Sequence, residues 1–362
     1  MKKLDTTEKL LRDLTEANGV SGFEDGPRQV MKRYIKPHCD LVEFDRLGSL
    51  IARKRGTADE PRVLIAGHLD EIGFMVKEVT KDGFIKFLPL GGWWGHVALG
   101  QRMRIITSRG IIIGVVGSRP PHILEPKERE KVLQIKDMFI DVGAQEKFNV
   151  ERKLGVRVGD PIVPDSEFTV MGNPGLYMAK AFDNRASCAI VVDVLRKLKN
   201  FRHPNTIFGA GCVQEEVGLR GAQTVANQVA PDVAIICDVG IAQDVPPGGY
   251  AAPEKLGGGP AVLVYDASMI PNIKLRDLVI KTAQRKNIPY HLTAMERGGT
   301  DGGRVHISNT GVPSIVIGAP IRYIHSHNGI LARKDYDNTV KLVTEVVKRL
   351  DKKTVRAMYP TA

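Results

Sequence analysis

The sequence predicts an α/β protein, with a mixed, largely parallel sheet covered by helices on both faces and a small β-rich unit inserted into it. Three observations carry this expectation. Continuous apolar runs such as Val63 to Ala66, Val233 to Cys237 and Ser314 to Gly318 mark strands buried on both faces. Stretches of helical periodicity alternate with such runs through the C-terminal half, the order that yields a sheet layered with helices. From about Phe74 to Pro164 that periodicity nearly vanishes, and short β-rich runs punctuated by Gly and Pro replace it. With 362 residues, 43% of them hydrophobic, the chain is long enough for two domains. We expect a discontinuous main domain over 1–72 and 166–362 and an inserted β-barrel over 73–165.

In order along the chain, Asp5-Thr6-Thr7-Glu8 has the form of a capping box, Leu10, Leu11 and Leu14 follow at helical spacing, and Gly19 ends the helix. Pro27 suits the start of a second helix striped by Val30, Met31, Tyr34 and Ile35. Leu41 to Phe44 and Leu50 to Ala52 are expected as strands joined by a turn at Gly48. The buried run from Val63 delivers His68 and Asp70 at its C-terminal end. Pro120 to Pro126 and the charged run after it are expected as a long mobile loop. Beyond the insertion, Asp183 precedes a helix over Arg185 to Leu198. The strand Thr206 to Val213 delivers Glu215 and Glu216, and the run ending at Cys237 delivers Asp238. Asn272 to Lys286 is a helix, Tyr290 to Ala294 a strand, and Ser314 to Gly318 a buried strand followed within a few residues by His325. A last helix begins at about Asn338. Ligands of open sheets of this type bind beyond the carboxyl ends of the strands, where these side chains fall.

Composition narrows the function classes. The net charge of +11 is spread along the chain, with no strongly basic tract interleaved with aromatics, which argues against a nucleic-acid partner. No apolar stretch is long enough for a transmembrane helix, and the N-terminal residues lack the apolar core of a signal peptide, so no membrane partner is expected. Cys39, Cys188, Cys212 and Cys237 have no repeated spacing, and three of them sit in apolar runs. This suits a reducing, cytoplasmic setting. Phosphate-binding loops, zincin-type His pairs and nucleophile elbows are absent.

What remains is a constellation of His68, Asp70, Asp183, Glu215, Glu216, Asp238 and His325. Imidazoles and carboxylates without thiolate suit zinc, cobalt or manganese. Five ligands exceed what one tetrahedral catalytic zinc with an open position can use; they suit two ions sharing a bridging carboxylate. Neighbouring side chains on extended chain point to opposite sides, so Glu215 and Glu216 can divide their work between a water and a metal. Asp70, two residues after His68, is placed to receive its second ring proton.

The motifs Ala66-Gly67-His68-Leu69-Asp70-Glu71-Ile72-Gly73, Ala181-Phe182-Asp183-Asn184-Arg185, Gln214-Glu215-Glu216-Val217-Gly218-Leu219-Arg220-Gly221-Ala222, Asp238-Val239-Gly240, Gly299-Thr300-Asp301 and Arg322-Tyr323-Ile324-His325-Ser326-His327 occur in this order. Together they resemble the tetrahedral (glutamyl, leucyl, lysyl) aminopeptidase family of two-metal peptidases, over almost the whole chain. The resemblance implies one ion on His68, Asp183 and Glu216 and another on Asp183, Asp238 and His325, with Asp183 as the bridge. It further implies Glu215 as general base, Asp70 orienting His68, and a PDZ-like barrel used in subunit contacts. Peptide substrates and dimers assembling into a hollow dodecamer complete the expectation. His327 is an alternative to His325, which the Arg-Tyr-Ile-His order favours.

Two other readings stay open. A related two-metal amidase, deacylase, carboxypeptidase or deblocking peptidase would use similar ligands. A non-enzymatic basic binding protein would show salt-sensitive binding that a chelator leaves intact. An endoglucanase is disfavoured, because glycoside hydrolysis generally relies on a carboxylate pair.

Overall fold

The continuous apolar runs form the centre of an eight-stranded sheet. The computed structural model describes residues 3–247 and 253–360. Across the sheet the strands run Leu41–Phe44, Leu50–Lys54, Thr206–Cys212, Arg62–His68, Val233–Ile236, Ser314–Gly318, Ala261–Tyr265 and His291–Ala294. Arg62–His68 pairs in parallel with Thr206–Cys212 on one side and Val233–Ile236 on the other, and Val233–Ile236 pairs in parallel with Ser314–Gly318. The antiparallel pairs lie towards the margins.

Alternation along the central strand explains why both faces are dry. Val63 and Ile65 pack into one core with Leu10, Leu11 and Leu14 and the helices Phe182–Lys197, Ile273–Arg285 and Arg333–Val347. Leu64 and Ala66 point the other way, into a core shared with Ala222, Val225 and Val229 of the helix Arg220–Val229. The result is three layers, helix–sheet–helix. Gly67 allows the helix Phe182–Lys197 to cross close to the strand, since a Cβ there would lie 3.1 Å from Ser187 Cβ. The first helix, Thr6–Glu16, carries the expected capping box: the Glu8 N–H donates to Asp5 (2.8 Å) and the Asp5 N–H donates back to Glu8 (2.7 Å). Such a cap is worth about 1 kcal/mol.

The β-rich stretch closes into a six-stranded antiparallel barrel of Gly73–Val79, Ile85–Leu90, Phe139–Asp141, Gly110–Gly117, Arg102–Thr107 and Pro161–Pro164. It has a core of its own, including Phe74, Phe87, Met103, Ile105, Ile140 and Ile162. Within it, the stretch after Pro120 contains a 3-10 turn, Pro121–Ile123, and a single helical turn, Pro126–Arg129, where a loop was expected.

Two further features depart from the expectation. A second, five-stranded sheet joins Thr169–Val170, Leu176–Ala179, Gly329–Ala332, Pro320–Arg322 and Gly240–Ile241. Its strands are too short to show a period. The last long helix starts at Arg333, ahead of Asn338. Its first turn is polar, but Asp335 is buried and accepts the N–H groups of Gly257 (2.6 Å) and Gly259 (2.8 Å), a partnership only the tertiary fold supplies.

Candidate active site

The central parallel strands end side by side. His68 closes its strand opposite Cys212, Glu215 and Glu216 leave the next strand, and Asp238 follows the strand on the other side. Asp183 stands at the start of the helix Phe182–Lys197, and His325 follows the short strand Pro320–Arg322. All five predicted metal ligands and Glu215 therefore line one cleft of about 600 Å³. The backbone there is unusual. Ala181, Gln214, Leu219, Tyr323 and His325 all hold positive φ between 55° and 58°. For residues with a Cβ this costs roughly 1–3 kcal/mol each, which the surrounding packing must offset.

Asp183 lies between the two imidazoles. Its Oδ1 is 3.3 Å from His68 Nε2 and its Oδ2 is 3.4 Å from His325 Nε2. Glu216 Oε2 is 3.6 Å from His325 Nε2, and Glu215 Oε2 is 3.8 Å from His68 Nε2. Ligand atoms of His68, Asp183 and Glu216 converge within 4.8 Å of one another, as do those of His68, Glu215 and Asp238. His327 points elsewhere: it is buried against Trp93, with ring centroids 5.5 Å apart.

Asp70 does more than face His68. Its carboxylate accepts the Ser21 hydroxyl (2.6 Å), the Glu215 N–H (3.0 Å) and the Glu216 N–H (3.1 Å). Its Oδ1 is 3.4 Å from His68 Nδ1, whereas the carbonyl oxygen of Asp70 is nearer, at 3.0 Å. The side chain thus pins the turn that carries both glutamates. Glu24 supports the same turn by accepting the Gln214 N–H at 3.0 Å. His325 is held from the barrel side, with Nδ1 2.8 Å from the Gly92 carbonyl. Behind the site, buried Glu71 takes Lys180 Nζ at 2.6 Å and Arg185 at 3.1 Å, while Arg185 also donates to the carbonyls of Leu69 and Gly19.

The electrostatics show a site rich in negative charge. Burial alone would depress the imidazoles. The carboxylates override it, Glu215, Asp183 and Asp70 raising His68 well above its usual value, and Asp183 and Glu216 raising His325 to about 10. Burial would raise Asp183, yet His325 and His68 hold it well below the carboxylate range. Glu215 and Asp238 are pushed well up, by burial and then by their acidic neighbours, and Glu216 to about 8 for the same reasons. Asp301, quoted above only as part of a motif, is buried beside this group, with burial raising it to about 6. Ser21, Glu24, Gly92 and Asp301 gave no separate signal in the sequence, being common residue types far from the ligands along the chain. Carboxylates this crowded, with oxygen and imidazole nitrogen donors and no thiolate, fit hard-to-borderline divalent cations.

A cleft at the carboxyl ends of parallel strands, with a carboxylate between two imidazoles and further carboxylates beside them, defines the class of metal-dependent hydrolases. The chain matches the M42 glutamyl aminopeptidase family over residues 48–342, with a further short match, AMPT, over residues 5–31. It is 33% identical to the lysyl aminopeptidase of Pyrococcus furiosus, over 94% of this chain and 97% of that one. Among solved structures, it resembles the TET aminopeptidase of the marine sediment archaeon Thaumarchaeota archaeon SCGC AB-539-E09. The identity is 47% and the TM-score 0.95, covering 98% of this chain and 100% of that one. It also resembles the Pyrococcus horikoshii TET1 peptidase, which can assemble into a tetrahedron or a large octahedral shell. Here the identity is 28% and the TM-score 0.83, covering 95% and 100% of the two chains. The protein belongs to the M42 aminopeptidase family. It is a hydrolase, a metallo-aminopeptidase that works with divalent metal ions. Among the described residues, no helix is long and apolar enough to cross a membrane.

Proposed function

We propose that the protein removes N-terminal residues from peptides, with two divalent cations held by His68, Asp183, Glu216, Asp238 and His325 and with Glu215 as general base. One observation carries this reading: Asp183 presents one oxygen to each imidazole, at 3.3 and 3.4 Å. The distances favour a division other than the one the resemblance implies. His325 and Glu216 are 3.6 Å apart and would share one ion with Asp183 Oδ2, leaving His68, Asp238 and Asp183 Oδ1 for the other. The donor set suits zinc or cobalt, with manganese next. When bound, the ions supply Lewis-acid polarisation of the scissile carbonyl and acidify the attacking water.

The chain's own residues do the rest. Glu215 takes the water's proton on its carboxylate and returns it to the departing amine. Asp70 fixes Glu215 through its backbone N–H, so the carboxylate stays at the cleft floor. The free α-amino group of a peptide would be fixed beside the metal site, which limits cleavage to the first residue. Glu215→Gln is expected to keep its metal content and lose about 10²- to 10⁴-fold in kcat. Near-normal turnover would remove Glu215 from the reaction. A second reading rests on the convergence of Glu215 with His68 and Asp238, which makes Glu215 a ligand; loss of metal together with turnover in the same variant would select it. Unblocked and N-acetylated peptides, assayed with chelator and with metal restored, separate an aminopeptidase from an amidase or deblocking enzyme, since only the latter cleave the acetylated series.

We place the protein in a reducing, cytoplasmic setting and propose a homo-oligomer of dimers building a dodecamer, with the unit over 73–165 making subunit contacts. Supporting this, Ile111, Ile113 and Val115 alternate along one barrel strand with their side chains exposed, an apolar face of the kind that marks an interface. Light scattering tests it; a monomer at assay concentration refutes it. The names of the family and the relative divide between glutamyl and lysyl activity, so likeness does not choose the preferred residue.

A further inference from the structure

A second cavity of about 200 Å³ opens off the catalytic cleft. The two share Asp238, Val239, Ile241, Met295, Arg297 and Thr300 in their linings, so a group seated at the first has a continuous path into the second. The side cavity has walls of mixed polarity: beyond the shared residues, Ala261, Leu263 and Val316 are apolar, and Gln243, Thr293 and Glu296 are polar. Its lining also holds Glu254, which is only 2% exposed and whose two carboxylate oxygens have no hydrogen-bond partner among the described residues. Thr293 and the backbone of Ile241 come near enough to favour its charged form slightly, without reaching hydrogen-bonding geometry with either oxygen.

A buried carboxylate without a partner is costly unless something occupies the space beside it. The fold makes room for this one: Gly240 has no side chain, and a Cβ there would collide with Glu254 Oε1. Burial also pushes Glu254 up to about 7, so it is ready to gain from a nearby positive charge. Beyond the shared residues the lining holds two acids, buried Glu254 and exposed Glu296, and no base; the match for such a cavity is an alkyl chain with a cationic head. The opposite choice, an acidic side chain drawn to Arg297, is weaker. Arg297 is exposed where the cavities meet, and a solvated surface charge contributes little.

We infer that the side cavity receives the side chain of the substrate's N-terminal residue and that Glu254 selects a long cationic one such as lysine. The assignment rests on the aminopeptidase reading above. It makes Glu254 a specificity residue without a part in the bond-breaking step.

The test compares kcat/KM of the metal-loaded protein for N-terminal lysine, norleucine and glutamate in otherwise identical fluorogenic amides. Lysine and norleucine share the same stem and differ in the ammonium group. The wild type is expected to prefer lysine to norleucine by roughly 10- to 100-fold, and Glu254→Gln to collapse that ratio towards one. Equal or better use of norleucine or glutamate by the wild type overturns the assignment, even if the variant does not fold. So does a folded variant that keeps the wild-type ratio. Absence of turnover on all three substrates overturns the aminopeptidase reading and this assignment with it, whereas turnover without lysine preference overturns this assignment alone.

Discussion

Replacing Asp70 by asparagine tests how the catalytic turn is held. The carboxylate accepts from three donors: the Glu215 N–H at Oδ1, and the Ser21 hydroxyl and Glu216 N–H at Oδ2. Asparagine has an acceptor on one side only. With its oxygen towards Ser21 and Glu216, its amide meets the Glu215 N–H donor to donor. That buried N–H then loses its partner, at about 1–3 kcal/mol, and the two remaining bonds lose their charge assistance, at about 1 kcal/mol each. The sum is about 3–5 kcal/mol. At roughly 2 cal/mol/K of unfolding entropy per residue over 362 residues, this lowers Tm by about 4–7 °C. Turnover should fall about 10- to 100-fold, because both glutamates lose their anchor. Metal affinity should fall less than kcat, since His68 Nδ1 keeps the nearer carbonyl of residue 70 at 3.0 Å. Differential scanning calorimetry, kcat on an aminoacyl amide and metal content by elemental analysis read the three effects. A Tm within about 1 °C of wild type with kcat within about twofold would refute the argument that this side chain holds the turn.

Chelation should abolish turnover and lower Tm, with both restored by zinc or cobalt, because ions that bind only the folded site stabilise it; a Tm indifferent to chelator would count against a bound ion. Glu71→Gln leaves Lys180 and Arg185 buried without their anion and should cost about 3–5 kcal/mol in denaturant unfolding; a change under about 1 kcal/mol would contradict the buried-pair account. For Glu345, burial opposes ionisation, but Lys286, Lys348 and Arg349 override it and hold the carboxyl at about 2, below its usual 4.5. A depressed native value means the contribution is full above pH 4.5 and lost as pH falls towards 2. Discounted for its partly exposed partners, it is about 1–2 kcal/mol. Glu345→Gln should therefore be less stable than wild type near neutrality, with the gap closing only below the unfolded value; a gap that widens in acid would reverse the sign.

The strands that build the centre of the molecule were legible because burial on both faces demands unbroken apolar runs, and Val63 to Ala66 could serve no exposed role. The same runs located His68, Glu215 and Asp238, since parallel neighbours end at the same edge of the sheet. The barrel was legible as a change of period, and the first helix as a cap followed by a leucine stripe. Tertiary structure decided what depends on distance between remote segments. The strands Thr169–Val170 and Gly240–Ile241 are two residues long and take their meaning from their neighbours. Asp70 reads as a partner for His68, two residues away, but its carboxylate also accepts from Ser21 and from backbone more than a hundred residues on. Glu254 carries no signal of its own in the sequence, since acidic residues are mostly exposed. Only packing against Gly240 and the cavity beside the cleft removes it from water, because burial belongs to the whole fold and leaves no local mark on the chain.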